Sequence, residues 1–328
     1  MSRTTLRTML MAALCLAAGM ANALELKFNH VLPTNEAAHE MLIEMGKELE
    51  AQSNGYFVVN VYANSELGNN KDNLEMIRRG ANIVAVLDCG FLADYVPPYG
   101  AMNGPFLYTD WKEIVRLGKS PWHQEMMRQC SEKGMKVLCM DWYFGRRHVI
   151  SGKTIREPAD LDGMKIRVPP NKVWIDTIKA MHGSPTVLQW AEVYSALSQG
   201  VVDGAEAPLS TFYGSKLFEV RKNIGETGHF TALIGLVMSQ KIWDSMSKEH
   251  QDMLAAAVDK WGLECSMLTA DREEEWKKKL QDEGVVFNPV DNKAFAEACK
   301  VVYDNPDWPS YEELRKNIEA TPFPYTID

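Results

Sequence analysis

Apolar and polar positions follow two different periods at the start of the chain. Leu24, Leu26 and Phe28 alternate with polar residues, so they share one face of an extended segment and predict a strand. Over residues 36–52 the apolar positions recur at the spacing of an amphipathic helix. A strand followed by such a helix is the opening unit of an α/β fold.

The same alternation of strand and helix patterns continues along the chain. Strands are predicted at 56–63, 82–88, 164–168, 183–188 and 201–208, and helices at 71–79, 172–182 and 190–199. The segment 135–150 passes from one strand-like run into another, and 232–243 has the pattern of a long strand or a strand pair. The proline-free segment 248–284 predicts one long helix or two joined helices. We therefore predict an α/β protein of two lobes.

The region between the two predicted lobes does not have the composition of a flexible linker. Residues 140–150 are poor in glycine, serine and proline. We expect a structured hinge at this point.

The first 23 residues have the composition of a secretory signal peptide. Arg3 and Arg7 precede an apolar run over 9–20, and Ala21 and Ala23 form a small-x-small cleavage motif. The alternative is a membrane anchor, but this run is too short to cross a bilayer. We predict a cleaved leader and a periplasmic protein.

Charge, cysteine content and the absence of several motifs disfavour certain classes of protein. The net charge is −9, and removal of Arg3 and Arg7 with the leader would make it −11, which disfavours nucleic acid as a partner. The five cysteines after the leader form no CxxC motif and no zinc-like spacing, so we predict buried thiols and no metal site. The motifs HExxH, GxSxG and GxGxxG are absent, so an enzyme is poorly supported and no cofactor is predicted.

The stretch GMKIRVPPN, residues 163–171, places a permanent cation at the end of a predicted strand. Met164, Ile166 and Val168 share one face, and Lys165 and Arg167 point to the other. Ligands of open α/β sheets bind beyond the carboxyl ends of the strands. Arg167 is therefore a candidate anion-binding residue, and a salt bridge to an acid elsewhere in the chain is an equal alternative at this stage.

The residues after this strand predict the start of a helix. Two prolines end the strand, and Asn171 is a favourable N-cap. The positive end of the helix would then lie near Arg167. Trp174 falls on the apolar stripe of this helix, which favours a role in the core.

A second pair of cations lies at the predicted hinge. Arg146 and Arg147 occupy consecutive positions of a strand-like segment, so at least one of them can face a cleft. We expect Arg146 to be the solvated one.

Several motifs in order resemble those of the substrate-binding proteins of TRAP (tripartite ATP-independent periplasmic) transporters, the DctP-like family. They are FNHVLP, NSELGNN, GPFLY, GMKIRVPPN, GSPTVLQWAEVYSALSQGVVDGAEAP and KLFEV, and the similarity extends over nearly the whole chain after the leader. The resemblance implies two α/β lobes joined by hinge strands, a long bracing helix, and closure on a ligand. It also implies delivery of that ligand to membrane permease subunits; we expect a monomer that is not an enzyme.

The resemblance also implies lobe boundaries. The first lobe would comprise residues 24–147 and about 233–275. The second would comprise residues 148–232 and about 276–328.

The resemblance further implies roles for individual residues. Arg167 matches the arginine that holds the ligand carboxylate, and Arg147 matches a second arginine that faces the cleft. Trp190 falls where an aromatic ring packs over the ligand. Asp88 and His30 fall at the ends of strands that border the cleft.

Departures from the family pattern lead to a prediction about the ligand. Ala207 replaces an asparagine that hydrogen-bonds the ligand, and Tyr143 lies in an aromatic segment that replaces a polar one. With Phe212 and the capping residue Asn171 added to the site, we predict a small acid of apolar or aromatic character, such as an aryl or indole acid or an amino acid. A sugar acid or a C4-dicarboxylate is the alternative within the family; a ligand sensor and a secreted two-lobe enzyme are the less favoured classes.

Overall fold

The chain forms an α/β structure around one mixed sheet of nine strands. The computed structural model describes residues 23–327. The strands are β1 (Leu24–Asn29), β2 (Phe57–Tyr62), β3 (Ile83–Leu87), β4 (Met135–Ser151), β5 (Lys165–Val168), β6 (Ser184–Val187), β7 (Gly204–Pro208), β8 (Asn223–Ser239) and β9 (Val286–Asn288).

Twelve α-helices within residues 23–327 cover the faces of the sheet. They are α1 (Ala37–Gln52), α2 (Asn70–Arg78), α3 (Trp111–Gly118), α4 (Pro121–Glu132), α5 (Lys172–Ala180), α6 (Val193–Ser198), α7 (Leu209–Gly214), α8 (Gln240–Ser245), α9 (Lys248–Asp271), α10 (Glu273–Asp282), α11 (Asn292–Cys299) and α12 (Tyr311–Ala320). Short 3₁₀ helices occupy 89–94, 97–103, 158–161, 190–192, 217–219 and 300–304.

The strand order divides the sheet into two halves, one for each lobe. The order is β2-β1-β3-β8-β4-β7-β5-β6, with β9 beside β8. The first half holds the parallel strands β1, β2 and β3, and the second holds the parallel strands β5, β6 and β7. Two apolar clusters pack on each half, so each lobe has a core of its own. The predicted α/β class with two lobes is confirmed.

Two long antiparallel strands join the halves. β4 and β8 are each 17 residues long, pair with each other along their length, and border β3 at one end and β7 at the other. Their register shifts at four places, including one between Tyr143 and Gly145. Such bulges bend a strand locally, so this ribbon has the form expected of a hinge.

The joined helices α9 and α10 reach from one half of the sheet to the other. α9 packs on α1 and β4, and α10 packs on α7. At the α9 contact, the Trp142 indole N–H donates to the carbonyl of Val258 at 3.2 Å. The prediction of one long helix or two joined helices in this region is confirmed, with the junction at Arg272.

Several helices were not predicted from the sequence pattern. They are α3, α4, α7, α8, α11 and α12. Four of them do have start signals in the sequence, because the side chains of Asp110, Ser120, Asp291 and Ser310 cap α3, α4, α11 and α12. The proposed leader, residues 1–23, lies outside the described residues except for Ala23.

Candidate ligand-binding site

A cavity of about 80 Å³ lies between the two halves of the sheet. Its polar lining comes from Asn70, Asp88, Arg147, Arg167, Gln189 and Thr211. Its apolar lining includes Val31, Leu32, Phe91, Phe144, Trp174, Trp190 and Ala207. Residues from both halves contribute, so closure of the lobes forms the site. Ligand pockets commonly measure ~300–1,000 Å³, so this cavity suits a compact molecule.

Arg167 lies at the carboxyl end of β5 and is only 3% exposed. Its Nε and Nη2 donate to the carbonyl of Leu188 at 2.9 and 2.8 Å. The Nη1 group donates to no atom of the described chain, and no carboxylate there lies within ion-pair distance of the guanidinium. Burial holds the pKa of Arg167 below its usual range, at about 9, so the group remains a cation at neutral pH. Burying a cation without a charged partner costs free energy, and an anion bound beside it would offset that cost.

Arg147, on β4, is instead bound to a carboxylate of the protein. Its Nε lies 2.5 Å from Oε2 of Glu206 and its Nη2 lies 2.8 Å from Oε1, a bidentate pair in which Glu206 is fully buried. Burial alone would raise the pKa of Glu206, but Arg147 outweighs it and keeps that pKa below its usual range. His229 Nε2 lies 3.5 Å from the same carboxylate. Arg147 therefore brings little net charge to the cavity.

Asp88 follows β3 and faces the cavity from the first half of the sheet. Its Oδ1 accepts hydrogen bonds from the backbone N–H of Gly90 at 2.9 Å and from the side-chain amides of Asn103 and Asn171, each at 3.0 Å. Burial raises the pKa of Asp88 to about 6, although Arg147 acts to lower it. An acid opposite Arg167 limits the negative charge that the cavity can accept.

Two tryptophans flank the arginines. The ring centroid of Trp190 lies 5.0 Å from Cζ of Arg167, and its indole N–H donates to Ser215 Oγ at 3.1 Å. The ring centroid of Trp174 lies 5.4 Å from Cζ of Arg147. Trp174 is 2% exposed, and its indole N–H has no hydrogen-bond acceptor among the described residues. Trp174 thus belongs to the core, as predicted, and also lines the cavity.

Hydrogen bonds cross from one half of the sheet to the other at two places beside the cavity. The Asn171 side chain caps α5 at the N–H of Val173 and also reaches Asp88. On the other flank, Thr211 Oγ1 donates to Glu36 Oε1 at 2.5 Å. Burial raises the pKa of Glu36 to about 7. The lobes are therefore held closed over the cavity.

A bulge in β4 separates the predicted Tyr143 from the cavity. The register of β4 on β8 shifts between Tyr143 and Gly145, and Gly145 has φ +111°. Phe144, rather than Tyr143, consequently shares the cavity with Arg147. The Tyr143 hydroxyl donates to Glu273 at the start of α10. Arg146 is exposed and donates to the carbonyl of Thr109 at 2.8 Å.

His30 and Phe212 also lie outside the lining of the cavity. His30 is buried behind it, with Nε2 3.0 Å from His39 Nδ1, and the next two residues of the chain reach the cavity instead. Phe212 is fully buried in the apolar core of the second half, because α7 turns Thr211 toward the cavity. Ala207 does line the cavity.

Other features of the described chain bear on the sequence predictions. The five cysteines are all free and buried. Residues 23–327 contain no group of three or more metal-ligating side chains. Over the same residues, no helix is long and apolar enough to cross a membrane.

Comparison with known proteins assigns the chain and its fold to one family. Residues 28–307 match the family described as bacterial extracellular solute-binding protein, family 7 (DctP). A TRAP periplasmic solute-binding protein from Fusobacterium nucleatum, solved with bound sn-glycerol 3-phosphate, is 35% identical with a TM-score of 0.87; 90% of this chain and 97% of that chain are covered.

Two further relatives show the range of ligands in the family. A TRAP protein from Ochrobacterium anthropi, solved with L-fuconate, is 32% identical with a TM-score of 0.87, covering 90% of this chain and 99% of that one. The sialic acid-binding periplasmic protein of Vibrio cholerae is 26% identical, covering 95% of this chain and 94% of its own length. The present chain therefore belongs to the DctP family of extracellular solute-binding proteins, the substrate-binding proteins of TRAP transporters.

Proposed function

We propose that this protein captures a small, singly charged organic acid, with the acid's carboxylate bound by Arg167. The observation that supports this most is the guanidinium of Arg167, which is 3% exposed and has no carboxylate partner among residues 23–327. A carboxylate in the cavity would supply the missing charge and accept from Nη1. Trp190, beside this guanidinium, would cover one face of the bound acid.

The charges that line the cavity favour a monoanion over a dianion. They are Asp88, Arg147 and Arg167. Glu206 compensates Arg147, which leaves Arg167 as the one uncompensated cation of the lining, with Asp88 opposite. A phosphate monoester or a dicarboxylate would bring a second negative charge with no cation to receive it.

The relatives favour a hydroxylated acid over the aromatic acid expected from the sequence. Phe212 and Tyr143, which motivated the aromatic prediction, lie outside the cavity lining. The molecules bound in solved relatives include L-fuconate, L-galactonate, β-D-galacturonate and glycerol phosphates. A sugar acid is therefore better supported as the ligand than an aromatic acid.

Closure of the two lobes would link capture to delivery. The ligand would enter an open form, bind Arg167, and bring Asn171 to Asp88 and Thr211 to Glu36. The closed protein would then deliver the acid, chemically unchanged, to TRAP permease subunits. This role would require the protein in the periplasm, to which the leader expected from the sequence would direct it.

Two measurements test this proposal. Mass spectrometry of small molecules released from the purified protein should find an intact monocarboxylic acid. Calorimetric titration should then detect binding among lactate, glycerate, threonate, L-fuconate and L-galactonate. Binding confined to sn-glycerol 3-phosphate or succinate would contradict the charge argument. Binding confined to indole-3-acetate would support the aromatic acid predicted from the sequence. A ligand that is chemically converted would indicate an enzyme.

A further inference from the structure

The indole N–H of Trp174 is an unused hydrogen-bond donor beside the arginine pair. Trp174 is 2% exposed, and its Nε1 has no acceptor among the residues of the described chain. A buried donor without a partner is costly, and native proteins rarely retain one. Trp174 lines the cavity, so a molecule bound there could supply the acceptor.

The surroundings of Trp174 fix its ring in place. The residue lies in the first turn of α5, and Asn171 caps that helix by accepting from the N–H of Val173 at 3.1 Å. One neighbour of its ring is Phe230, with the ring centroids 4.6 Å apart. Another is the guanidinium of Arg147, which Glu206 holds from the other side. The N–H direction is consequently preset before a ligand binds.

Arg147, whose Cζ lies 5.4 Å from the Trp174 ring centroid, offers a second unused donor beside the cavity. Nε and Nη2 of Arg147 are engaged by Glu206, and Nη1 donates to no atom of residues 23–327. The charge of this arginine is compensated, so its free N–H suits a hydroxyl or carbonyl oxygen better than a second carboxylate. Arg167 remains the site for the anionic end.

We propose that Trp174 is a specificity-determining residue, whose indole N–H donates to an uncharged oxygen of the bound acid. The ligand is then an acid that carries at least one hydroxyl or carbonyl oxygen besides its carboxylate. This inference rests on the proposed function, because it takes the carboxylate to be on Arg167.

The chain offers a matched control for this donor. Trp190 lines the same cavity and lies beside an arginine, but its N–H is already bound to Ser215. Trp174→Phe and Trp190→Phe therefore remove similar apolar area, and only the first removes a donor available to the ligand. Both variants alter packing in the cavity, so the quantity measured is the ratio of each variant's affinities for the two acids of a pair.

The experiment is a calorimetric comparison of monohydroxy acids with their unsubstituted counterparts: 2-hydroxybutanoate against butanoate, and lactate against propanoate. The native protein should prefer the hydroxy acid of a pair by about 5- to 30-fold, the range for one hydrogen bond to a desolvated donor. Trp174→Phe should abolish most of this preference, and Trp190→Phe should leave the ratio near its native value. The native comparison needs no variant, so it stands even if Trp174→Phe folds poorly.

Three outcomes would overturn the inference. They are equal affinity of native protein for both members of each pair, a preference that survives in Trp174→Phe, and an equal loss of preference in both tryptophan variants. If one of these outcomes is found and Arg167→Ala also loses binding to every acid, the proposed role of Arg167 stands and only the role of Trp174 is rejected. Binding that is unaffected by Arg167→Ala would reject the proposed function itself.

Discussion

Arg147 and Glu206 form a bidentate ion pair across the adjacent strands β4 and β7, with Nη2 and Oε1 2.8 Å apart and the carboxylate fully buried. The pair lies where the hinge ribbon meets the second half of the sheet. It holds a guanidinium at the wall of the ligand cavity while compensating its charge. In the proposed binding mode, the pair would leave a cavity with two arginines able to receive one negative charge.

Replacement of Glu206 by Gln should destabilise the protein, because it leaves the cation of Arg147 buried without compensation. Breaking a buried pair in this way costs about 3–5 kcal/mol, to be measured as the free energy of unfolding in urea. The same variant should gain affinity for dianions such as sn-glycerol 3-phosphate relative to monocarboxylates. A variant as stable as the native protein, with unchanged selectivity, would show that the pair is not needed for either property.

Gly90 is predicted to be needed for closure of the lobes. A Cβ atom at this position would lie 2.0 Å from Nδ2 of Asn171, and Asn171 cannot move away without losing its bonds to Asp88 and to the N-terminus of α5. Gly90→Ala should weaken ligand binding at least several-fold and leave the liganded protein more open in small-angle X-ray scattering. Gly152→Ala is the control, since its Cβ would meet Arg221 only at 3.7 Å. Native affinity in Gly90→Ala would mean that the lobes close differently.

The contact between Glu36 and Thr211 is predicted to be sensitive to pH. Burial raises the pKa of Glu36 in the folded protein to about 7, from an ordinary value of 4.5. The folded state therefore binds more protons between these values, so the contribution of Glu36 to stability is full below about pH 4.5 and is lost as the pH rises through 7. The contribution is on the order of 3 kcal/mol, from a difference of about 2.5 pKa units.

Comparison with Glu36→Gln isolates this effect from the other buried groups. Asp88 and His30 also titrate with shifted pKa values, but they are common to both proteins. Native stability minus variant stability should fall between pH 5 and pH 8. A difference that stays constant over this range would mean that Glu36 ionises normally in the closed protein.

The position of Arg167 was predictable from the sequence because it depends on local rules. Strand alternation put its side chain opposite Ile166, two prolines ended the strand, and Asn171 began a helix. Whether its counter-charge lay within the chain was not predictable, because any partner would come from distant segments. The carboxylate that partners Arg147 shows this: Glu206 is 59 residues away along the chain.

Strand alternation could not predict that Phe144, rather than Tyr143, lines the cavity. A bulge adds a residue to one strand and reverses which side chains face the cavity beyond it. Gly145, with its positive φ, was the one local sign of such an irregularity. The unpartnered N–H of Trp174 was missed for another reason. Helical periodicity describes only the burial of its apolar ring and gives no information on hydrogen-bond partners of the N–H.

The variant Arg167→Ala tests the central claim, that a buried cation without a protein partner anchors the ligand's carboxylate. Loss of a charged hydrogen-bond partner in a desolvated site costs about 2–5 kcal/mol, so the affinity should fall by about 30-fold or more. The control is Arg146→Ala, which removes an exposed arginine outside the cavity lining and should bind normally.

The most direct measurement is the calorimetric dissociation constant of the released acid for native protein, Arg167→Ala and Arg146→Ala. We predict a loss of affinity of at least about 30-fold in Arg167→Ala alone. Unchanged affinity in Arg167→Ala, with a lowered melting temperature, would contradict the account and make Arg167 a structural residue.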